Sequence, residues 1–150
     1  AALDADALNL LSENSELLAL LMPHHVLTPH PGEAARLTGE KPADLIAGAR
    51  ALHALGATAI LKGPTSVICG EALYLSMSGS PGMARAGSGD ALTGILGALL
   101  AQRLKPEKAA WVADELHGLA GEVAAQKHGV VSMGAMDLVD CIGEVMPLAL

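Results

Sequence analysis

Gly79-Ser80-Pro81-Gly82-Met83-Ala84-Arg85-Ala86-Gly87-Ser88-Gly89-Asp90-Ala91-Leu92-Thr93-Gly94 is a glycine-rich loop that runs straight into an apolar helix. Residues 78–89 hold four glycines, three serines and one proline, so a loop is expected up to residue 89. Gly87 and Gly89 permit a tight turn and a close approach of backbone to ligand. The helix start behind them presents unpaired N–H groups and the positive end of the dipole, which favour an anion. Asp90 stands in that first turn, where its carboxylate either caps the helix or acts as a base beside a bound phosphoryl group. Two common phosphate motifs are absent. No Lys follows these glycines as a P-loop requires, and Leu92 stands where GxGxxG needs its third glycine.

Working outward, helices are expected at about 90–103, 106–127 and 135–146. The second carries an apolar stripe of Val112, Leu116, Leu119 and Val123, the third one of Leu138, Ile142 and Val145. At the other end, apolar residues 1–3 close a strand that enters a helix through Asp4-Ala5-Asp6. A second helical piece spans about Ser15–Leu21 and stops before Pro23. His25–Thr28 reads as a short buried strand, and Pro31-Gly32-Glu33 opens a helix ending near Gly39. Residues 42–55 are amphipathic, with Pro42 in the first turn and Gly56 as C-cap. Thr58–Leu61 is β-type, and Ser66–Cys69 with Leu73–Leu75 forms a hairpin around Gly70-Glu71. Strands alternating with helices predict an α/β fold, with a mainly parallel sheet flanked by helices. Ligands on such sheets sit beyond the carboxyl ends of the strands. Three loops lie there: after Thr28, after Leu61, and before Asp90.

In Leu61-Lys62-Gly63-Pro64-Thr65-Ser66, a lysine at a strand end precedes a tight turn and two hydroxyls. That suits a nucleotide phosphate, or it is an exposed lysine before a β-turn. In Leu27-Thr28-Pro29-His30-Pro31-Gly32-Glu33, stiff prolines fix the direction of His30, and Glu33 opens a helix. The plain alternative is a turn plus a helix-start acid. His24, His25 and His30 lack the spacing of a metal-binding helix. His117 follows Asp114 by one turn and reads as its partner, and Trp111 reads as a packing residue.

The chain of 150 residues is 51% hydrophobic and 17% charged, which suits one globular domain or part of one and excludes a disordered tail. Trp111 and Tyr74 are the only aromatic residues, so the core must be packed from small and branched aliphatics. A surface that stacks bases is not expected. A net charge of −7 gives no support to nucleic-acid binding. The longest apolar run, Ala91–Ala101, is broken by Thr93, Gly94 and Gly97, and a membrane span needs roughly 20 apolar residues. Cys69 and Cys141 have no ligand spacing and read as reduced thiols of a cytoplasmic protein.

Taken together, TPHPGEAARLTG (28–39), LKGPTSVI (61–68) and SPGMARAGSGDALTGILGALLAQ (80–102) resemble the NAD(P)H-hydrate dehydratases of the ribokinase-like superfamily. Asp4-Ala5-Asp6-Ala7-Leu8-Asn9 looks like that family's central strand-to-helix segment, and His117-Gly118-Leu119-Ala120-Gly121 like its C-terminal helix. The resemblance implies a ribokinase-like fold and a metabolite-repair lyase. Such a lyase uses ADP or ATP, with Mg²⁺, to remove water from hydrated NADH or NADPH. The hydroxyl is phosphorylated and phosphate is then eliminated. Residue by residue, the resemblance implies Asp90 as catalytic base and Gly87, Ser88 and Gly89 as anion hole. It implies nucleotide contacts at Lys62, Gly63, Pro64, Thr65, Ser66 and Gly89, and substrate contacts at His30 and Asp90. Glu33 matches the acid that helps hold Mg²⁺ through water. Arg85-Ala86 replace the family's usual Thr-Gly, so Arg85 either pairs with phosphate or blocks it, and Pro64 removes a backbone donor. Family members are nearly twice as long. Residues 1–150 are therefore expected to be the C-terminal part of a single ribokinase-like domain, truncated at the N-terminus with a sheet edge exposed. The family tends to form homo-oligomers. Two other readings stand beside the lyase: a ribokinase-like small-molecule kinase, which would share Asp90 and the anion hole, and an inactive truncated nucleotide-binding fragment.

Overall fold

Alternation along three short strands sorts the core onto two sides of a sheet. The computed structural model describes residues 1–146, so the last stretch of the expected domain, 147–150, lies outside the described residues. Strands β1 (Ala2–Leu3), β2 (Val26–Leu27), β3 (Thr58–Leu61), β4 (Val67–Cys69) and β5 (Leu73–Leu75) lie side by side in chain order. The first three are parallel, with Ala2 opposite Val26 and Val26 opposite Thr58. β3, β4 and β5 form an antiparallel meander in which Ile68 faces Ile60 on one side and Tyr74 on the other. The sheet is thus mixed, a parallel half that carries the crossovers and a hairpin half closed by Gly70 N–H donating to Ala72 C=O at 2.9 Å.

Leu27, Ala59, Leu61, Val67 and Cys69 point to one face. There they meet helices α1 (Asp6–Glu13), α3 (Pro31–Thr38) and α4 (Leu45–His53); the short α2 (Ser15–Leu18) follows α1. Val26, Ile60 and Ile68 point to the other face, against α5 (Ser88–Ala101) and α6 (Pro106–His128). Helix α7 (Ala135–Val145) packs on α6 through Met133, Leu138 and Cys141. α5 buries Leu92, Ile95, Leu96 and Leu99, one stripe at helical spacing. The buried face of α6 differs from the expected one. Leu119 and Val123 are only half-buried, whereas Ala109, Ala110, Ala113, Ala120 and Ala124 are fully buried. Alanine lets the helix axis approach its neighbours closely, which is how a core without Phe closes.

Some boundaries shift for local reasons. α4 begins at Leu45, not at Pro42, because Asp44 Oδ1 accepts from the Ala47 N–H at 2.7 Å and sets the start. α2 ends at Leu18, short of Leu21. Trp111 is no core residue: it is 43% exposed and its ring lies 6.1 Å from that of Tyr74 on the surface.

The carboxyl ends of the parallel strands are stitched together. The Thr28 N–H donates to Leu3 C=O at 3.1 Å, and the Lys62 N–H donates to Pro29 C=O at 2.8 Å. β1 is an outer strand of the sheet, and Leu10, Leu17 and Leu20 are exposed beside it. Among the described residues, no helix is long and apolar enough to cross a membrane.

Candidate functional site

The stitched strand ends bring together residues distant in sequence. Lys62, just past the end of β3, places Nζ 3.0 Å from Asp4 Oδ1, past the end of β1. Thr93, one turn into α5, donates its hydroxyl to Asp4 Oδ2, also at 3.0 Å. A side chain built on Gly89 would lie 3.4 Å from Lys62 Nζ and 3.7 Å from Asp4 Oδ2, so the α5 start faces this ion pair with only hydrogen between. Burial on its own pushes the Asp4 carboxyl up; hydrogen bonds and charge from Lys62, then Thr93 and Thr28, outweigh it and hold the group below its ordinary 3.8. Ala5, next to Asp4, adopts φ 46°, a left-handed value that side chains resist, at the turn from β1 into α1. Asp4 was not among the expected site residues. The lysine that completes it lies 58 positions away, and only the parallel register joins them.

The helix behind the phosphate-type turn starts two residues earlier than the sequence suggests. Gly87 takes φ 88° as N-cap, and the helix starts at Ser88. Of the three N–H groups expected to form an anion hole, that of Ser88 is engaged, donating to Arg85 C=O at 3.2 Å. The N–H groups of Gly87, Gly89 and Asp90 have no backbone partner outside the helix ladder among the described residues. Asp90 is exposed in the first turn, beside Gly89. Arg85 turns away from it and donates to the carbonyl of Val131.

His117 does not pair with Asp114. Its Nε2 lies 2.9 Å from the Ser88 carbonyl oxygen and 3.2 Å from Ser88 Oγ, with the ring buried. A carbonyl only accepts, so Nε2 carries the proton. Desolvation holds the imidazole below its usual 6.5; the Ser88 carbonyl opposes this, and the charge of Lys62 adds to it. Asp114 is buried and its carboxyl has the Ser76 and Ser66 side chains beside it; burial pushes the carboxyl up despite them. The Ser66 hydroxyl, expected to touch nucleotide, thus points into the fold.

His30 and Glu33 lock each other. His30 Nδ1 accepts from the Gly32 and Glu33 N–H groups at 3.0 and 3.3 Å. Glu33 Oε2 accepts from the His30 N–H at 2.8 Å, which completes a capping box at the start of α3. Glu33 Oε1 lies 3.6 Å from His30 Nε2. The carboxylate expected to face Mg²⁺ through water thus also closes the helix start, through Oε2. Among the described residues no three His, Cys, Asp or Glu side chains converge on a point that would hold a metal. Mg²⁺ beside a nucleotide draws most of its ligands from phosphate and water, and the described residues offer it no ready cage.

A family model described as NAD(P)H-hydrate dehydratase matches residues 1–144. The bifunctional NAD(P)H-hydrate repair enzyme of Moorella thermoacetica is 44% identical over 97% of this chain. An ADP/ATP-dependent NAD(P)H-hydrate dehydratase from Bacillus subtilis, solved with ATP and Mg²⁺, superposes with a TM-score of 0.81 at 28% identity over 96% of the chain. A ribokinase-like superfamily protein of Enterococcus faecalis gives 0.79 at 29% identity over 95%. The chain spans 29% of the Moorella enzyme and 53% and 51% of the two solved chains. The fold is ribokinase-like, and the chain belongs to the NAD(P)H-hydrate dehydratase family.

Proposed function

We propose that this chain carries the phosphate-handling part of a site that removes water from hydrated NADH and NADPH and so restores the reduced cofactor. One observation carries the reading. The first turn of α5 presents free N–H groups and an exposed Asp90, with Gly89 facing Lys62, in a chain matched by the family over residues 1–144. ADP or ATP, with Mg²⁺ on its own phosphates, would supply the phosphoryl group that turns the substrate hydroxyl into a leaving group. No step is assigned to a metal held by this chain.

Asp90 takes the proton as the hydroxyl oxygen attacks the terminal phosphorus, whose bond to the nucleotide breaks and releases AMP or ADP; loss of phosphate together with a neighbouring ring proton then restores the double bond. The N–H groups of Gly87, Gly89 and Asp90 meet the charge that develops on the phosphoryl oxygens, with Asp90 taking the place expected for Ser88. Lys62 draws the phosphate in, and Asp4 keeps its ammonium aimed. Gly63, Pro64 and Thr65 form the rim of the nucleotide site, while Ser66 supports it through Asp114. His30 offers the substrate the outer edge of a ring that is 53% exposed. Residues 1–150 act as one part of a single ribokinase-like domain. Both cysteines are free and buried, which fits the cytoplasm.

The test is recovery of reduced-nicotinamide absorbance when the folded protein meets hydrated NADH with ADP, and separately with ATP. Recovery with either supports the proposal. ADP binding in the absence of recovery would indicate nucleotide binding without turnover instead. Neither binding nor recovery by a folded sample overturns both.

A further inference from the structure

We infer that His117 is the positioning residue of the phosphate-binding turn, holding the Ser88–Gly89 peptide so that the Gly89 N–H faces the bound phosphate. The inference rests on the phosphate-site reading above and extends it to a residue outside that site.

The geometry of one peptide plane carries the argument. The Ser88 carbonyl and the Gly89 N–H belong to the same trans peptide and point in opposite directions. His117 Nε2–H grips that carbonyl at 2.9 Å from α6, in a buried position. Pulling the oxygen toward α6 turns the N–H away from α6, at a residue whose Cα hydrogen faces Lys62 and Asp4. The same ring nitrogen lies 3.2 Å from Ser88 Oγ, so the residue is gripped at two atoms. This matters because Gly87 and Gly89 make the turn intrinsically loose. Helix α5 holds its first peptide through the carbonyl alone, since the first turn lacks partners on its N–H side. His117 is anchored in the middle of α6, where the fully buried Ala113 and Ala120 flank it in sequence. The long helix therefore serves as a rigid mount for a flexible loop. Its neighbour Gly118 leaves no room for a side chain, because Ser78 atoms lie within 2.4–2.9 Å of where a Cβ would sit. The register of α6 against the loop is thereby fixed.

The experiment compares wild type with His117→Leu, which fills the space without a donor, and His117→Gln, whose amide nitrogen can reach the Ser88 carbonyl. Two measurements are made on each: ADP affinity by calorimetry, and amide exchange of the segment 84–92 in the free protein. His117→Leu should lose about tenfold in ADP affinity, the scale of one lost buried hydrogen bond, and its loop should exchange faster. His117→Gln should stay within about threefold of wild type, with a protected loop. Should His117→Leu fail to fold, His117→Asn replaces it, since its shorter amide stops at the Nδ1 position, and the same loss is expected. Unchanged affinity and unchanged exchange in the donor-less variant overturn the inference. Equal losses in the Leu and Gln variants overturn it too, because packing alone would then explain them. If wild type binds no ADP, the phosphate-site reading fails, while the exchange comparison still decides whether His117 holds the turn.

Discussion

Lys62 and Asp4 form an ion pair at 3.0 Å across the ends of two parallel strands, and Thr93 of α5 fixes the free carboxylate oxygen from the other side. The pair is largely sheltered from water, so each partner depends on the other. Asp4→Ala strands the Lys62 ammonium and removes the acceptor of Thr93. The expected cost is about 1–3 kcal/mol of folding stability, read as a lower urea midpoint with unchanged slope. A midpoint equal to wild type would show that the pair contributes nothing.

Asp90 offers a contrast. It is exposed, and no hydrogen bond or ion pair among the described residues depends on its carboxylate. Asp90→Asn should therefore change stability by no more than about 0.5 kcal/mol and leave ADP binding largely intact. Recovery of hydrated NADH should be abolished. A variant that loses nucleotide binding as well would assign Asp90 a structural role.

Gly89 separates folding from binding in the opposite sense. Its added methyl would stand 3.4 Å from Lys62 Nζ, an ordinary contact, in a helical position. Gly89→Ala should keep or raise stability, by up to about 1 kcal/mol, because alanine favours helix. The same methyl occupies the approach to the free N–H groups, so ADP affinity should fall at least about tenfold. Calorimetry and a thermal melt on one preparation check both halves.

Asp114 is a buried carboxyl whose folded value lies above its ordinary 3.8, because burial outweighs the Ser76 and Ser66 hydroxyls. As pH rises above 3.8 the unfolded chain loses this proton first, so ionisation favours unfolding. Asp114→Asn should raise the melting temperature at pH 7.5, and the gain should vanish toward pH 4. A gain of the same size at both pH values would locate the effect in packing instead.

His117 responds to acid with the other sign. Burial keeps its folded value below 6.5, so the unfolded chain takes up the proton first as pH falls. The stability tied to its neutral ring is complete above pH 6.5 and is lost as pH falls toward the folded value. The melting temperature of wild type should drop between pH 7 and 5 more steeply than that of His117→Gln. Parallel curves would mean that other groups set the acid sensitivity.

Local signals told the truth about local structure. Pro31-Gly32-Glu33 does open a helix, Gly39 does close it with φ 75°, and the hairpin turns where Gly70 stands. The approach of three loops to one sheet edge followed from strand–helix alternation, and Lys62 and Gly89 meet there. What stayed hidden depends on partners remote in sequence. Asp114 lies one helical turn from His117 and seemed its natural mate, yet Ser88 takes the ring and two serines stand beside the acid. Nothing in the spacing of Glu33 reveals that its carboxylate also accepts from the His30 backbone. The engaged N–H of Ser88 is likewise a property of how the loop folds back on Arg85, which residue type does not encode.

The two thiols sit in separate clusters. Cys69 is packed between the sheet and the α1, α3 and α4 helices, and Cys141 lies in the seam between α6 and α7. Neither is reachable while its own layer stays closed, and burial also disfavours the reactive thiolate of Cys69. The molecule thus carries two native clocks. The rate at which each thiol reacts with a small alkylating reagent times the opening of one layer, with no label added.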